Sequence, residues 1–349
     1  MKALVTGGCG FLGSHVCELF KEKGWNVVAY DNLTKFEYSR IPYLDIEKVR
    51  DYNLNILEQD LEVPVIIDDI RNPKMLIKVA EGCDFIAHCA AQPAMTIAIE
   101  NPLLDMDVNI YGILNVLECS RIFNIPVVNC STIHVYGNGI NEFLVEGDER
   151  FFLRGNIQSI PEDYFGLGKM SGKITPLHVS KFTTENYVRA YIDTYGIKAA
   201  NFRLTGIYGP RQFGGEDHGW VANFAIRTIL DLPIKVFGTD KQVRDILYVK
   251  DAAEAFYKWY RNGCIPGTYN IGGGEPCITS IRSCLNLLNL ITGKKQNITI
   301  EPPRQGDLYY FCCDISKAKR TFGWFPTYLP QEGINALVEW VNEEKEIFK

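Results

Sequence analysis

Three glycines near the N-terminus constrain the fold of this chain more than any other feature. Gly7, Gly10 and Gly13 follow an apolar run at residues 3–6 and open a segment, residues 11–20, with apolar side chains at helical spacing. A strand that enters a helix through such a turn aims free backbone N–H groups and the positive end of the helix at a phosphate. The first glycine permits the turn, the second a close approach of pyrophosphate, and the third close packing of helix on strand. The sequence therefore predicts a dinucleotide site at residues 7–13.

An acidic residue at the end of the next strand pattern indicates which dinucleotide. Residues 26–30 are strand-like and lead into Asp31, which lies 18 residues after Gly13. A carboxylate there accepts hydrogen bonds from a ribose 2′-hydroxyl and repels a 2′-phosphate, so we expect NAD rather than NADP. Lys35 has the opposite charge, and we interpret it as a rim residue in solvent.

Composition excludes several classes of partner and site. The 349 residues carry a net charge of −6 with both signs intermixed, which argues against nucleic acid or an anionic membrane as the main partner. We find no charged-then-apolar leader and no apolar run of membrane-spanning length. The eleven cysteines form no paired C-x-x-C sets and the five histidines are scattered. We therefore expect a cytoplasmic protein with reduced thiols and without a metal.

The first half of the chain alternates strand and helix patterns, which is typical of a doubly wound parallel α/β sheet. Strands are predicted at 63–68, 84–88, 125–131 and 199–204, and long helices at about 104–117 and 177–195. Ligands of such sheets bind outside the carboxyl ends of the strands. We expect a dinucleotide-binding domain at 1–204, joined again by 245–274, and a smaller α/β substrate domain at 205–349. Residues 138–174 show no clear element, and we interpret them as a lid loop.

Six motifs follow one another at characteristic distances. They lie at residues 6–13, 31–33, 135–137 (Val-Tyr-Gly), 208–212, 244–251 and 269–273. As a set they resemble the extended short-chain dehydrogenase/reductases, the NAD-dependent nucleotide-sugar epimerases and dehydratases, over nearly the whole chain. Residues 92–96, 211–213 and 218–221 are most similar to the CDP-sugar 2-epimerase branch. The resemblance implies a Rossmann sheet, tightly held NAD that takes and returns a hydride, a nucleotide-sugar substrate, and a homodimer packed through helices near 101–124 and 177–195.

The resemblance also implies the binding residues. For the cofactor they are Gly7, Gly10, Phe11 and Leu12 at the pyrophosphate, Asp31 and Asn32 at the adenosine ribose, Asp69 and Ile70 at the adenine, Ala90, Ala91 and Gln92 at the nicotinamide end, together with Thr34, Lys35, Asn109, Ser131, Lys181 and Leu204. For the substrate they are Met95, Thr96, Gly206, Trp220, Val221, Arg244, Arg304 and Asp307. Arg244 and Arg304 suit a phosphate clamp because a guanidinium binds phosphate bidentately. The alternative for each is an ion pair with Asp245 or Asp307.

One position departs from the family pattern. Such enzymes combine a Ser/Thr at the end of the fifth strand with a Tyr-x-x-x-Lys pair, in which the lysine charge lowers the phenol pKa for proton transfer. Thr132 and Lys181 fit two of the three positions, but Leu177 stands at the tyrosine position. Leucine can neither accept nor give a proton.

Four side chains are candidates for the missing base. His178 is adjacent to Leu177 but lies about 100° around the helix, and its alternative is a structural role at the helix start. Tyr164 lies in the lid-like loop, where the alternative is an aromatic anchor. His134 follows Thr132 by two residues and is expected to point away from it. Lys181 itself could serve if burial lowers its pKa, the alternative being that it holds the nicotinamide ribose.

Three functions remain open on the sequence alone. The first is an epimerase of the 2-epimerase type with a relocated base. The second is a dehydratase, decarboxylase or reductase with the same fold. The third is a non-catalytic protein that binds NAD or a sugar nucleotide.

Overall fold

The computed structural model describes residues 1–34, 36–155, 157–164 and 172–348, except for the side chains of residues 36 and 37. The strands in chain order are β1 (Lys2–Thr6), β2 (Asn26–Asp31), β3 (Val65–Ile67), β4 (Phe85–His88), β5 (Val127–Thr132), β6 (Leu144–Glu146), β7 (Phe151–Leu153), β8 (Ala199–Leu204), β9 (Ile207–Tyr208), β10 (Ile234–Phe237), β11 (Val243–Asp245), β12 (Leu247–Tyr248), β13 (Gly267–Ile271), β14 (Ile278–Ser280), β15 (Ile298–Glu301) and β16 (Tyr310–Phe311).

The α-helices are α1 (Phe11–Glu22), α2 (Ile46–Asn55), α3 (Pro73–Ala80), α4 (Met95–Glu100), α5 (Pro102–Met106), α6 (Gly112–Phe123), α7 (Pro176–Tyr195), α8 (Trp220–Ile229), α9 (Val249–Arg261), α10 (Ile281–Thr292), α11 (Ser316–Phe322) and α12 (Pro330–Glu343). No helix in the described part of the chain combines the length and the apolar character needed to cross a membrane.

A seven-stranded parallel sheet forms the centre of the fold. Its strand order is β13-β8-β5-β4-β1-β2-β3. The chain winds from β1 to β2 and β3 on one side and returns to β4 on the other, so the switch point lies between β1 and β4. A ligand crevice is expected there, at the carboxyl ends of the strands. The predicted doubly wound α/β sheet is confirmed.

Apolar clusters cover both faces of this sheet. One contains Phe20 of α1, Phe85 and Trp259 of α9, and the other contains Leu76 of α3 and Val116 of α6. A third cluster joins α8, α10 and α12 in the C-terminal part of the chain. Both sheet faces are therefore buried, as near-continuous apolar strands require. We propose that the dinucleotide-binding domain comprises residues 1–204 and 245–274. The second segment contains β13, which is a strand of the central sheet.

Two predicted segments differ from the structure. The helix expected at 104–117 is divided into α5, a π-helical turn at Asp107–Tyr111, and α6. The segment 138–174 contains a short hairpin, β6 paired with β7, although we predicted no element there. Strands of three residues are too short for a period-two pattern to be recognised. Residues 156 and 165–171 of this predicted lid lie outside the described residues.

A buried ion pair ties α7 to the central sheet. Arg203 of β8 donates from Nη2 to Glu185 of α7 at 2.8 Å, and the two side chains are 9% and 6% exposed. The guanidinium carbon also lies 4.6 Å from the ring centroid of Tyr136. Ser131 of β5 donates to the same carboxylate at 2.5 Å. The Glu185 carboxylate is thus almost completely buried, and these partners stabilise its charge.

We predict that Arg203→Met lowers the free energy of unfolding by about 3 kcal/mol or more, because it leaves the Glu185 carboxylate buried without a counter-charge. The control is Arg189→Met on the same helix, whose pair with Asp193 is 3.5 Å long and exposed to solvent. Loss of such a surface pair costs about 0.5 kcal/mol or less. Urea denaturation measures both, and an equal effect of the two substitutions would contradict the prediction.

Candidate active site

Two glycines of the turn after β1 have no room for a side chain. Gly7 has φ +68°, and a Cβ on it would lie 2.6 Å from the backbone nitrogen of Ala90. A Cβ on Gly8 would lie 2.6 Å from that of Ala29 on β2. α1 begins at Phe11, and its N-cap Gly10 brings no side-chain acceptor to the first N–H groups. These groups remain available to an anion, as a pyrophosphate site requires.

Asp31 is fixed against this turn at the end of β2. Its Oδ2 accepts from the Cys9 backbone N–H at 2.9 Å and its Oδ1 from that of Leu33 at 2.8 Å. Each carboxylate oxygen keeps a further lone pair for a ribose hydroxyl. Asn32 donates to Asp69 at 2.7 Å. Hydrogen bonds from the Arg71 guanidinium lower the pKa of Asp69 to about 2, so this end of the site carries two fixed carboxylates.

A cavity of about 710 Å³ runs along the carboxyl ends of the strands and reaches into the C-terminal part of the chain. Most of the predicted cofactor residues line it: Gly7, Gly10, Phe11, Leu12, Asp31, Asn32, Thr34, Asp69, Ile70, Ala90, Ala91, Gln92, Ser131, Lys181 and Leu204. Lys35 lies outside the described residues. Asn109 is buried behind the wall, where its Oδ1 accepts from the Gln92 N–H at 3.0 Å and its Nδ2 donates to the Gln92 carbonyl at 3.1 Å. Asn109 therefore holds the loop that contains Gln92.

The predicted substrate residues line the other end of the same cavity. They are Met95, Thr96, Gly206, Trp220, Val221, Arg244, Arg304 and Asp307. Arg244 donates to Asp307 at 3.1 Å, so the ion pair named as the alternative exists and faces the cavity. The Arg304 guanidinium carbon lies 3.7 Å from the ring centroid of Phe237. Burial lowers the pKa of both arginines, which is the response of cations that lack full solvation.

Of the predicted catalytic residues Thr132, Lys181, His178 and Tyr164, the first two line the cavity. Thr132 is at the end of β5, and Lys181 projects from α7 and donates to the Cys130 carbonyl at 3.1 Å. Burial lowers the pKa of Lys181. Leu177, one helical turn before Lys181, lines the cavity as well and is 4% exposed. The fold thus places Leu177 where the resemblance places a tyrosine.

His178 and Tyr164, the other two predicted catalytic residues, lie outside the cavity lining. His178 closes the first turn of α7, where its Nδ1 accepts from the Thr175 N–H at 3.1 Å, and burial lowers its pKa to about 4. Tyr164 packs as a half-buried ring against the cluster that contains Leu308 and Phe311. Their catalytic assignment stays a prediction, and each has the contacts that a structural role requires.

His134 is the residue that sequence reasoning misplaced. It lines the cavity together with Thr132, whereas we expected it to point away from Thr132. Residues two apart on a strand share a face, so strand alternation does not support that expectation. β5 ends at Thr132 and the chain enters a 3₁₀ turn, Ile133–Tyr136, with both side chains along the cavity. The Val-Tyr-Gly motif at 135–137 was the available signal that the strand had ended.

No metal site is evident in the described ranges, since no three His, Cys, Asp or Glu side chains are grouped so that they could hold an ion. All eleven cysteines are free thiols, and ten of them are buried.

Comparison with known proteins agrees with this geometry. Residues 3–272 match the NAD dependent epimerase/dehydratase family. The chain belongs to this family. Membership confirms NAD as the cofactor that the glycine turn and Asp31 predict.

Individual relatives are similar over their full length. The chain is 29% identical to CDP-paratose 2-epimerase of Salmonella typhi, with 98% of this chain and 99% of the relative covered. It is 30% identical to the structure of Thermus thermophilus UDP-glucose 4-epimerase in complex with NAD, with a TM-score of 0.78 and coverage of 99% and 100%. The Bacillus cereus UDP-glucuronic acid 4-epimerase, in complex with UDP-glucuronic acid and NAD, is 26% identical with a TM-score of 0.81 and coverage of 98% and 99%.

Proposed function

We propose that the protein is an NAD-dependent nucleotide-sugar epimerase of the 2-epimerase type. The observation that carries the proposal is one continuous cavity. It brings the glycine turn and Asp31 at one end together with Arg244 and Arg304 at the other, and Thr132 and Lys181 lie on its wall. Such a cavity suits a dinucleotide and a sugar nucleotide bound end to end. The similarity to CDP-paratose 2-epimerase of Salmonella typhi supports the position of the reacting carbon.

Each group has a physical role in this proposal. NAD, when bound, supplies a hydride acceptor that returns the hydride within one turnover. The N–H groups at the start of α1 bind its pyrophosphate, and Asp31 accepts from the adenosine ribose. Lys181 holds the nicotinamide ribose, and Thr132 holds the reacting sugar hydroxyl. Arg244 and Arg304 bind the substrate diphosphate, for which the guanidinium fork is the fitting donor.

Leu177 favours a second candidate of another class. A member of the family that lacks the phenol could bind NAD and a sugar nucleotide without catalysis, as a sensor or partner subunit.

A dehydratase, decarboxylase or reductase also shares this fold, and a dTDP-glucose 4,6-dehydratase from Salmonella typhimurium is 27% identical over 97% of the chain. The reaction products separate these possibilities.

We predict that CDP-, UDP- or GDP-sugars added to the holoprotein generate reduced nicotinamide that stays bound and is reoxidised as product forms. Fluorescence of the bound cofactor measures the reduction, and NMR of the sugar measures the product. The expected product differs from its substrate at one stereocentre. A product that has lost water or carbon dioxide, or that differs at several stereocentres, contradicts the epimerase assignment. If no sugar nucleotide reduces the cofactor, the protein is a binding protein.

We further propose a homodimer in which α5, α6 and α7 pack against the same helices of a second copy. Within the described structure α7 contacts both α5 and α6, and the π-helical turn at Asp107–Tyr111 contacts all three helices. They and the π-helical turn between α5 and α6 expose seven large apolar side chains: Leu103, Met106, Tyr111, Ile122, Val179, Tyr187 and Tyr195. A concentration of this kind on adjacent helices is typical of an interaction surface.

We predict that Leu103→Glu converts the dimer into a monomer, because it places a charge on this apolar surface. Leu103 is 72% exposed, and the matched control is Leu290→Glu on α10, where the leucine is 77% exposed on another face. Sedimentation velocity gives the oligomeric state of each. A dimer that survives Leu103→Glu, or one that Leu290→Glu disrupts, places the interface elsewhere, and a monomeric parent chain contradicts the dimer itself.

A further inference from the structure

The cavity wall around Leu177 contains an imidazole that can replace the missing phenol. The backbone N–H of His134 donates to Thr132 Oγ1 at 3.3 Å, which closes the turn after β5. This turn brings the two side chains onto the wall that also contains Leu177 and Lys181. His134 therefore lies beside the position of the reacting hydroxyl that the proposed function assigns to Thr132.

The His134 ring is enclosed and incompletely bonded. Its Nδ1 is buried and has no hydrogen-bond partner among the described residues, and the same holds for His178 Nε2. The two rings meet edge to face, with centroids 5.4 Å apart and planes at 76°. A buried polar atom without a partner is rare in folded proteins and requires an explanation. A ring kept for transfer of a proton provides one.

The other candidate groups are less suited to transfer of the substrate proton. Lys181 already donates to a carbonyl, and its charge is needed beside the nicotinamide ribose. Tyr164 and His178 do not line the cavity. Among the described residues His218 is the other histidine of the lining, and its ring packs beside that of Tyr38, with ring centroids 5.9 Å apart.

We propose that His134 is the catalytic acid–base residue of this site. This assignment rests on the proposed epimerisation. The O–H bond of the reacting sugar hydroxyl breaks and its proton moves to the imidazole, while the C–H bond on the same carbon breaks and its electron pair leaves as hydride for the bound dinucleotide. The carbon–oxygen bond becomes a carbonyl, so the sugar is oxidised and the cofactor reduced. On return the hydride adds to the opposite face and the imidazolium gives its proton back to oxygen.

Electrostatics couples this residue to the substrate. The charged or titratable groups that face His134 are His178 on α7 and Arg244 on β11, and Arg244 is in turn paired with Asp307. Burial, then His178, then Arg244 lower the pKa of His134 to about 3, so the free protein holds a neutral ring at neutral pH. A diphosphate bound to Arg244 cancels part of that positive charge. The His134 pKa then rises, which makes the ring a stronger base once substrate is present.

One experiment follows the ring itself. With ¹³C-labelled histidine, the five histidines give few enough signals for His134→Gln to identify the His134 resonance. In the NAD-loaded parent protein we expect its titration below pH 5, and a rise of about one pH unit when CDP or UDP is added. Arg244→Gln should raise the pKa without nucleotide and abolish the further rise. A resonance that does not respond to CDP or UDP, although calorimetry shows that the nucleotide binds, overturns the proposal. If the His134 variants fail to fold, Gln variants of the other four histidines assign the His134 resonance by elimination.

The second experiment follows the rate. His134→Gln should lower kcat at least 100-fold while NAD affinity and KM change less than about 3-fold, since general acid–base catalysis contributes roughly 10²–10⁴. Added imidazole should restore part of the rate to His134→Ala. If His134→Gln keeps the parent rate and pH profile, or if His218→Gln shows the loss and imidazole rescue instead, the assignment to His134 is wrong and the epimerase proposal stands. If the parent protein itself reduces and epimerises no sugar nucleotide, both proposals are wrong.

Discussion

The whole site depends on the contact between the glycine turn and the end of β4. The Gly7 N–H donates to the Tyr30 carbonyl at 2.8 Å and the Gly10 N–H donates to the Gly7 carbonyl at 2.9 Å, which fixes the turn between β1 and β2. At φ +68° Gly7 then lies against the backbone of Ala90 with no room for a Cβ. This one close contact therefore fixes two parts of the site relative to each other. They are the N–H groups suited to a pyrophosphate and the backbone that flanks the nicotinamide end. A side chain at residue 7 would separate them.

From this contact the site extends along the strand ends to two centres with different electrostatics. Arg244 and Arg304 are buried cations in the C-terminal part of the cavity, suited to a diphosphate. Thr132, His134 and Lys181 lie where β5 and α7 meet, around the apolar side chain of Leu177. With leucine at residue 177 instead of tyrosine, the site still contains the Lys181 cation, the Thr132 hydroxyl and the neutral imidazole of His134. Arg244 links the two centres because its charge acts on His134.

Much of this arrangement was predictable because it depends on local patterns. Apolar periodicity and glycine spacing predict β1, α1 and β2, and Asp31 lies at the end of β2 as expected. The four-residue step from Leu177 to Lys181 predicts one helical face, and both side chains do line the cavity. The fold class and NAD follow from these patterns and from the family motifs.

The features that escaped prediction depend on where an element ends or on tertiary contacts. His134 was assigned the wrong direction although residues two apart on a strand share a face, and after the turn that follows Thr132 both side chains line the cavity. The β6–β7 hairpin is too short to produce a period, and the π-helical turn in the helix after residue 102 leaves no mark in the apolar pattern. The assignment of Asn109 to the cofactor site stays a prediction, and its amide holds the Gln92 backbone, a pairing across 17 positions that no local pattern reveals.

The most direct test of the central claim, that hydride leaves and returns within this one cavity, is an isotope measurement. A sugar nucleotide that the enzyme accepts is prepared with deuterium on the reacting carbon and converted in ordinary water. With hydride transfer, the epimerised product keeps the deuterium at that carbon, and unlabelled substrate takes up none from heavy water. Loss of the label to solvent, or uptake of solvent deuterium at that carbon, would show that a proton rather than a hydride is transferred.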